Sequence, residues 1–328
     1  MLRAAEWAQS TRNQRSYIID KWVRPYIGKV RLRDLGHERL TRWQADIRMA
    51  NCPPHQRNQV LRVLSASLGY AVQFGRLPSN PVAHVARSKH RVTRPQALTA
   101  IEVERIRANM PTPRDAAMVT VMAYTGLRPS ELAALTWGDV AANLVTVERA
   151  FTAGELKATK TDVPRDVDLI AEVRTDLDAI RPVNAVAGEL VFPNEAGAYI
   201  NFNNWRAREW ARAAIAAGFT RTRTNRAGRE VVAASISPYD LRHTFASLSI
   251  HAGETILEVA AAMGHTTGKL VHERYGHVYK SARNAPRVSV ADAAALARAE
   301  LHAQGVRSVC DPPELSVVLG DKQRGKIA

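Results

Sequence analysis

The side chains able to do chemistry are dispersed along the 328 residues. Arg128 lies in Thr125-Gly126-Leu127-Arg128-Pro129-Ser130-Glu131-Leu132, and Lys160 in Ala158-Thr159-Lys160-Thr161. Tyr239 and Arg242 share the run Ser237-Pro238-Tyr239-Asp240-Leu241-Arg242-His243-Thr244-Phe245. His265 closes Met263-Gly264-His265, and Tyr275 stands in Arg274-Tyr275-Gly276-His277-Val278. A guanidinium presents a planar fork that matches a phosphate and never deprotonates, so Arg128 and Arg242 suit charge stabilisation at a phosphate group. Glu131, three residues after Arg128, is placed to orient that guanidinium. No GxxxxGK phosphate loop, no GxGxxG after a strand, no HExxH and no paired CxxC is present, so nucleoside-triphosphate and metalloprotease chemistries lack a motif. Two cysteines as distant as Cys52 and Cys310 make neither a disulfide framework nor a zinc cluster. No metal and no cofactor are expected.

In their order and spacing these segments resemble the catalytic domain of the tyrosine recombinase (phage integrase) family, over about residues 98–280. The module before them resembles that family's core-DNA-binding domain. The resemblance implies a metal- and ATP-independent DNA strand transferase. Its nucleophile would be Tyr275, with Tyr279 as the alternative, and a 3′-phosphotyrosine would conserve the bond energy for religation. Lys160 would be the general acid for the 5′ leaving oxygen, with Lys157 as the alternative. His265 would hydrogen-bond the scissile phosphate, and His243 would support the site. Two positions depart from the pattern. The gap from His265 to Tyr275 is one residue longer than usual, which places an insertion in a loop over Thr266 to Glu273. Tyr239 stands where the family has histidine; a phenol can donate to a phosphate oxygen but is a poor proton acceptor at neutral pH. Deprotonation of Tyr275 must then lean on another group or on water.

Within this chemistry the reading favours phage integration and excision, of an armless, mycobacteriophage-like type. Chromosome-dimer, integron and transposon recombinases are the alternatives, and a catalytically silent DNA-binding protein is the alternative from another class. The implied partners are duplex DNA at attachment or core sites, three further copies of the chain in a homotetramer, and a directionality factor as an optional addition. No membrane partner is expected, and the implied setting is the cytoplasm and nucleoid of a host bacterium.

The elements that must position these residues read as mainly α with a small antiparallel β-sheet, an α+β chain of two domains. Residues 1–85 should form a small helical module. Apolar residues spaced as on a helix cover residues 6–27, with Ser10 and Thr11 as caps and Pro25 and Gly28 as the end; further helices cover Thr41 to Met49 and Pro54 to Phe74. A basic linker spans 86–97 and a catalytic domain 98–285, opened by the capping box Thr99/Glu102. Helices are expected over Asp115 to Thr125 and Pro129 to Leu135, and a small sheet between Asn143 and Leu169. Arg221 to Glu230 reads as a glycine- and arginine-rich loop. Residues 286–328 should hold a helix, Val290 to Leu301, that could dock on a neighbouring copy, followed by a loosely ordered tail.

Charge separates the two domains. Residues 1–93 carry 17 Lys+Arg against 5 Asp+Glu, whereas residues 94–328 carry 29 against 26. An excess of +12 on one module is the electrostatic footprint of phosphate neutralisation. Arg24, Lys29, Arg31, Arg33, Arg57 and Arg62 are the candidate DNA contacts. The basic residues form no single amphipathic helix, which disfavours an anionic membrane surface. The longest apolar run, Ala116 to Leu127, is too short to cross a bilayer.

Overall fold

Two tryptophans organise the first unit of the computed structural model, which describes residues 7–311 apart from 8, 90–95, 159–162 and 226. The chain divides into two units at Thr93/Arg94. In the first, α1 (Gln9–Ile18) runs through a π-helical turn (Ile19–Val23) into α2 (Arg24–Ile27), followed by α3 (His37–Met49) and α4 (Pro54–Gln73). Ile18, Trp22, Leu40, Trp43, Ile47, Val60, Leu64 and Leu68 form its core. The Trp43 indole N–H donates to the Trp22 carbonyl at 2.8 Å, which satisfies a donor that burial would otherwise strand. The helix ends at Ile27 with Gly28 after it, as expected, but Ser10 and Thr11 lie inside it rather than capping it. Proline cannot donate the usual i→i−4 bond, and the wider turn just before Pro25 takes up that loss.

The second unit begins with α5 (Ala100–Ala108), opened by the Thr99/Glu102 capping box. The next helix, α6 (Pro113–Thr125), is buried along its whole length from Asp115 to Thr125. The long apolar run is therefore the central helix of a core, hydrophobic all round because neighbours cover every face. Gly126 ends it at φ +66°, a left-handed conformation that glycine adopts without strain. A Cβ there would stand 2.5 Å from the Phe245 ring, so the close approach of the two segments also requires glycine. A short α7 (Pro129–Leu132) follows.

Next come β1 (Leu144–Val147), β2 (Arg149–Thr152), β3 (Glu155–Ala158) and β4 (Arg165–Asp168). They pair antiparallel as β1 with β4 and β2 with β3, as expected for this stretch. After α8 (Ala171–Ile180), α9 (Phe202–Trp205) and α10 (Ala211–Ala216), the chain forms β5 (Thr220–Thr224) and β6 (Glu230–Ala234). The loop expected at Arg221 to Glu230 is thus a β-hairpin. Alternation of β-favouring threonine at 220, 222 and 224 outweighs the glycine and arginine content; Arg221 and Arg223 lie in the strand itself, and Gly228 in the turn.

Four helices complete the unit: α11 (Pro238–Ala252), α12 (Ile256–Ala262), α13 (Lys269–Ala282) and α14 (Val290–Ala303). The loop expected over Thr266 to Glu273 is shorter, because α13 already starts at Lys269. In this single chain α14 packs back onto its own unit, burying Ala294, Ala297 and Leu301. Its Arg298 donates to Glu104 at 2.9 Å and to Asp176 at 3.0 Å. Among the described residues no helix is long and apolar enough to cross a membrane.

Candidate active site

Five separate segments bring the cations together. Arg128 sits just before α7, where the αL turn at Gly126 redirects the chain. Its backbone N–H and its Nη1 both donate to Glu131, at 2.8 and 2.6 Å, and its Nη2 donates to the Gly264 carbonyl at 3.2 Å. Glu131 therefore orients Arg128, as its spacing implied. Arg165, at the start of β4, shares the same carboxylate through Nη2 at 2.7 Å and donates Nε to the Ala262 carbonyl at 2.8 Å. Arg242 on α11 is almost fully buried and donates to the carbonyls of Gly126 and Met263. Its Nη2 also reaches His265 Nε2 at 3.2 Å. Gly264 makes this convergence feasible: its φ is +62°, and a Cβ would meet Arg165 Nη1 at 2.9 Å and Arg128 Nη1 at 3.3 Å.

The electrostatics follow from this geometry. Burial, and then the nearby Arg128, bring Arg242 down to about 10, still well above neutral pH. Three guanidiniums thus face one buried carboxylate, Glu131, whose pKa lies below the usual value because bonds from Arg165 and Arg128 overcome its burial. Burial followed by Arg242, Arg128, Arg165 and Arg274 pushes His265 down to about 4. The imidazole is neutral, and because a guanidinium can only donate, Nε2 accepts from Arg242 and the ring proton sits on Nδ1. That Nδ1 is buried and has no hydrogen-bond partner among the described residues. The cluster has surplus positive charge and a donor without an acceptor, which is what an anionic oxygen would complete.

Tyr275 on α13 is only 3% exposed, and its hydroxyl is in hydrogen-bond contact with His243 Nδ1. Burial raises its pKa to about 12. Tyr279, the alternative nucleophile, donates instead to the Glu254 carbonyl at 3.1 Å. Tyr239 is 44% exposed and meets the His243 ring edge-on at 5.4 Å between centroids. Lys160 lies outside the described residues, while its alternative Lys157, on β3, pairs with Glu155 at 2.5 Å.

Two participants escaped assignment from sequence. Arg165 received no role from the sequence, and the carbonyl ligands at 262–264 carry no side-chain signal. In the first unit Lys29, Arg31 and Arg62 are exposed, with no ion pair among the described residues, Arg24 pairs with Asp20 at 3.2 Å, and Arg33 lies 3.9 Å from Asp34. Arg57 is half-buried, with its Nε enclosed and unbonded.

Comparison with known proteins bears on the family. Residues 96–282 match the phage integrase family and residues 3–47 the phage integrase N-terminal SAM-like domain. The chain is 28% identical over 252 residues to tyrosine recombinase XerD of Shewanella oneidensis, covering 72% of this chain and 75% of that one. It is also 28% identical over 285 residues to the prophage phiRv2 integrase of Mycobacterium tuberculosis, covering 82% and 70%. Among solved structures, the Tn1549 transposon integrase in complex with a circular intermediate DNA superposes with a TM-score of 0.67 at 17% identity, covering 91% of this chain and 94% of that one. A lambda integrase tetramer bound to a Holliday junction gives 0.63 at 19% identity, covering 81% and 74%. The guanidinium cluster, the buried tyrosine and the two matched domains converge on one assignment: the chain belongs to the phage integrase family of tyrosine recombinases.

Proposed function

We propose that this recombinase is a phage-type integrase that cuts and rejoins duplex DNA at Tyr275. The observation that carries the reading is the site's unbalanced charge: Arg128, Arg165 and Arg242 around the single carboxylate of Glu131, with the unpartnered His265 Nδ1 alongside. A scissile phosphate supplies the missing anion. Arg128, Arg242 and His265 then donate to its non-bridging oxygens, where charge grows in the transition state. Tyr275 Oη attacks phosphorus, the bond to the 5′ oxygen breaks, and Lys160 protonates that oxygen. Exposed Tyr239 donates a further hydrogen bond to the phosphate. The basic first unit grips the backbone through Lys29, Arg31 and Arg62, together with Arg24, Arg33 and Arg57. Four copies hold two duplexes, a reading supported by the lambda integrase tetramer bound to a Holliday junction, and a directionality factor biases excision. The phage setting is favoured over chromosome-dimer resolution because the prophage integrase match extends over more of this chain than the XerD match, at equal identity.

A duplex nicked beside the scissile phosphate tests the reading. It should yield a covalent protein–DNA adduct that Tyr275→Phe abolishes and Tyr279→Phe retains. Retarded DNA mobility without an adduct under any condition would instead identify a silent DNA-binding protein.

A further inference from the structure

We propose that His243 accepts the proton of Tyr275 during attack on phosphorus, in place of the histidine that this chain lacks at position 239. The inference rests on the recombinase chemistry above and concerns how its nucleophile is activated. A phenol attacking phosphorus must lose its proton as the new bond forms, so a base has to lie within hydrogen-bond reach. Tyr239 cannot fill that role well, being itself a phenol. His243 is four residues further along α11, one helical turn on, and therefore shares a face with Tyr239. There its Nδ1 contacts Tyr275 Oη, and both side chains are buried, at 6% and 3% exposure, so bulk water does not compete for the proton.

The direction of the hydrogen bond follows from the two groups. Phenol is the stronger acid and an imidazole ring nitrogen the stronger base, so Tyr275 donates, Nδ1 accepts and the ring proton resides on Nε2. The groups facing His243 are Tyr239, Asp240 and Arg242 on α11 and Arg274 and Tyr275 on α13. Burial, followed by Arg274, holds the imidazole at about 4 despite Asp240, so its lone pair is free at neutral pH. The proton stays on the phenol in the resting protein and leaves only as the Oη–P bond forms. At that moment the P–O5′ bond breaks, Nδ1 gains the phenolic proton, and a separate acid protonates the departing oxygen. Religation returns the proton from Nδ1 to Oη. The other imidazoles do not compete: His265 spends its lone pair on Arg242, and His277 is exposed.

The decisive variant is His243→Asn, whose amide oxygen can still accept the bond but cannot hold a proton. Single-turnover adduct formation on the nicked duplex should slow by about 10²-fold or more at neutral pH. The residual rate should climb about tenfold per pH unit as hydroxide replaces the base. A bridging 5′-phosphorothiolate, which needs no acid for departure, should not restore it, whereas adding Tyr239→His should. A rate within about twofold of the unmodified protein, or a slowed rate with an unaltered pH profile, would overturn the proposal. Circular dichroism and DNA mobility verify that the variant folds. If it does not, the unmodified protein decides: with a resident base its rate stays flat between about pH 6 and 9, and a tenfold rise per unit there would overturn the proposal. Absence of any adduct from the unmodified protein would overturn the recombinase reading itself, and the inference with it.

Discussion

Two clusters of buried arginines lie in the second unit, and their carboxylates set them apart. In one, Arg107 and Arg298 meet Glu104, Asp176 and Asp311: Arg107 donates to Asp176 at 2.6 and 2.7 Å and to Asp311 at 2.9 Å, while Arg298 reaches Glu104 and Asp176. Thr120 adds a third kind of donor to Asp176 at 2.9 Å, and Tyr124 donates to Glu104 at 2.9 Å. Each guanidinium and each carboxylate there has an oppositely charged partner, three carboxylates to two guanidiniums, so no positive charge is left over, and the cluster ties α5, α6, α8 and α14 together. In the other, Arg128 and Arg165 share Glu131, Arg242 beside them bonds no carboxylate among the described residues, and all three turn donors to main-chain carbonyls. Burial alone does not separate structure from chemistry in this protein. The charge left over does.

The contrast can be broken first at the balanced cluster. Asp176→Asn removes the buried carboxylate that Arg107 and Arg298 share and should cost about 3–5 kcal/mol of stability, read as a lower urea midpoint, while adduct formation at low temperature persists. If instead the adduct were lost and stability kept, the roles of the clusters would be reversed. Arg128→Lys should do the opposite: adduct formation falls by about 10²–10³-fold, the range for losing a preorganised donor, with little change in the urea midpoint. A smaller effect is expected of Gly264→Ala, whose Cβ would press on Arg165 and Arg128. Its adduct rate should drop by about tenfold or somewhat more, since modest misplacement of a catalytic group is costly.

Inorganic phosphate sharpens the difference further. At about ten times its Kd it should raise Tm by roughly 2–4 °C, and Arg128→Ala, but not Arg298→Met, should remove the rise. The weakest signature is in acid. Because the folded pKa of Glu131 is depressed below 4.5, its contribution is present above that pH and is lost as the pH falls through the folded value. Glu131→Gln should therefore flatten that limb of a stability–pH curve.

These two clusters were unequally legible in the sequence. Arg128, Arg242, His265 and Tyr275 sit in the short runs through which the sequence resembles the phage integrase family. Arg107, Asp176, Arg298 and Asp311 carry no motif: Arg107 lies 69 positions from Asp176 and 204 from Asp311, so only folding brings them together. The helices and the small sheet were readable from periodicity. The hairpin at 220–234 was misjudged because glycine and arginine content was weighted above the alternation around it. The partner of Tyr275 was invisible for a related reason, since hydrogen bonds between α11 and α13 have no linear spacing rule.

Arg242 bears on how controls are chosen. Its guanidinium bonds the carbonyls of Gly126 and Met263, which belong to the exit of α6 and the exit of α12. It is a strut between two chain segments as well as a candidate phosphate ligand. An Arg242→Ala protein would lose both functions at once, and its inactivity would report nothing about phosphate binding. Tyr275→Phe, which removes one oxygen from a packed ring, is the informative inactive reference for any comparison of DNA affinity, assembly or strand exchange.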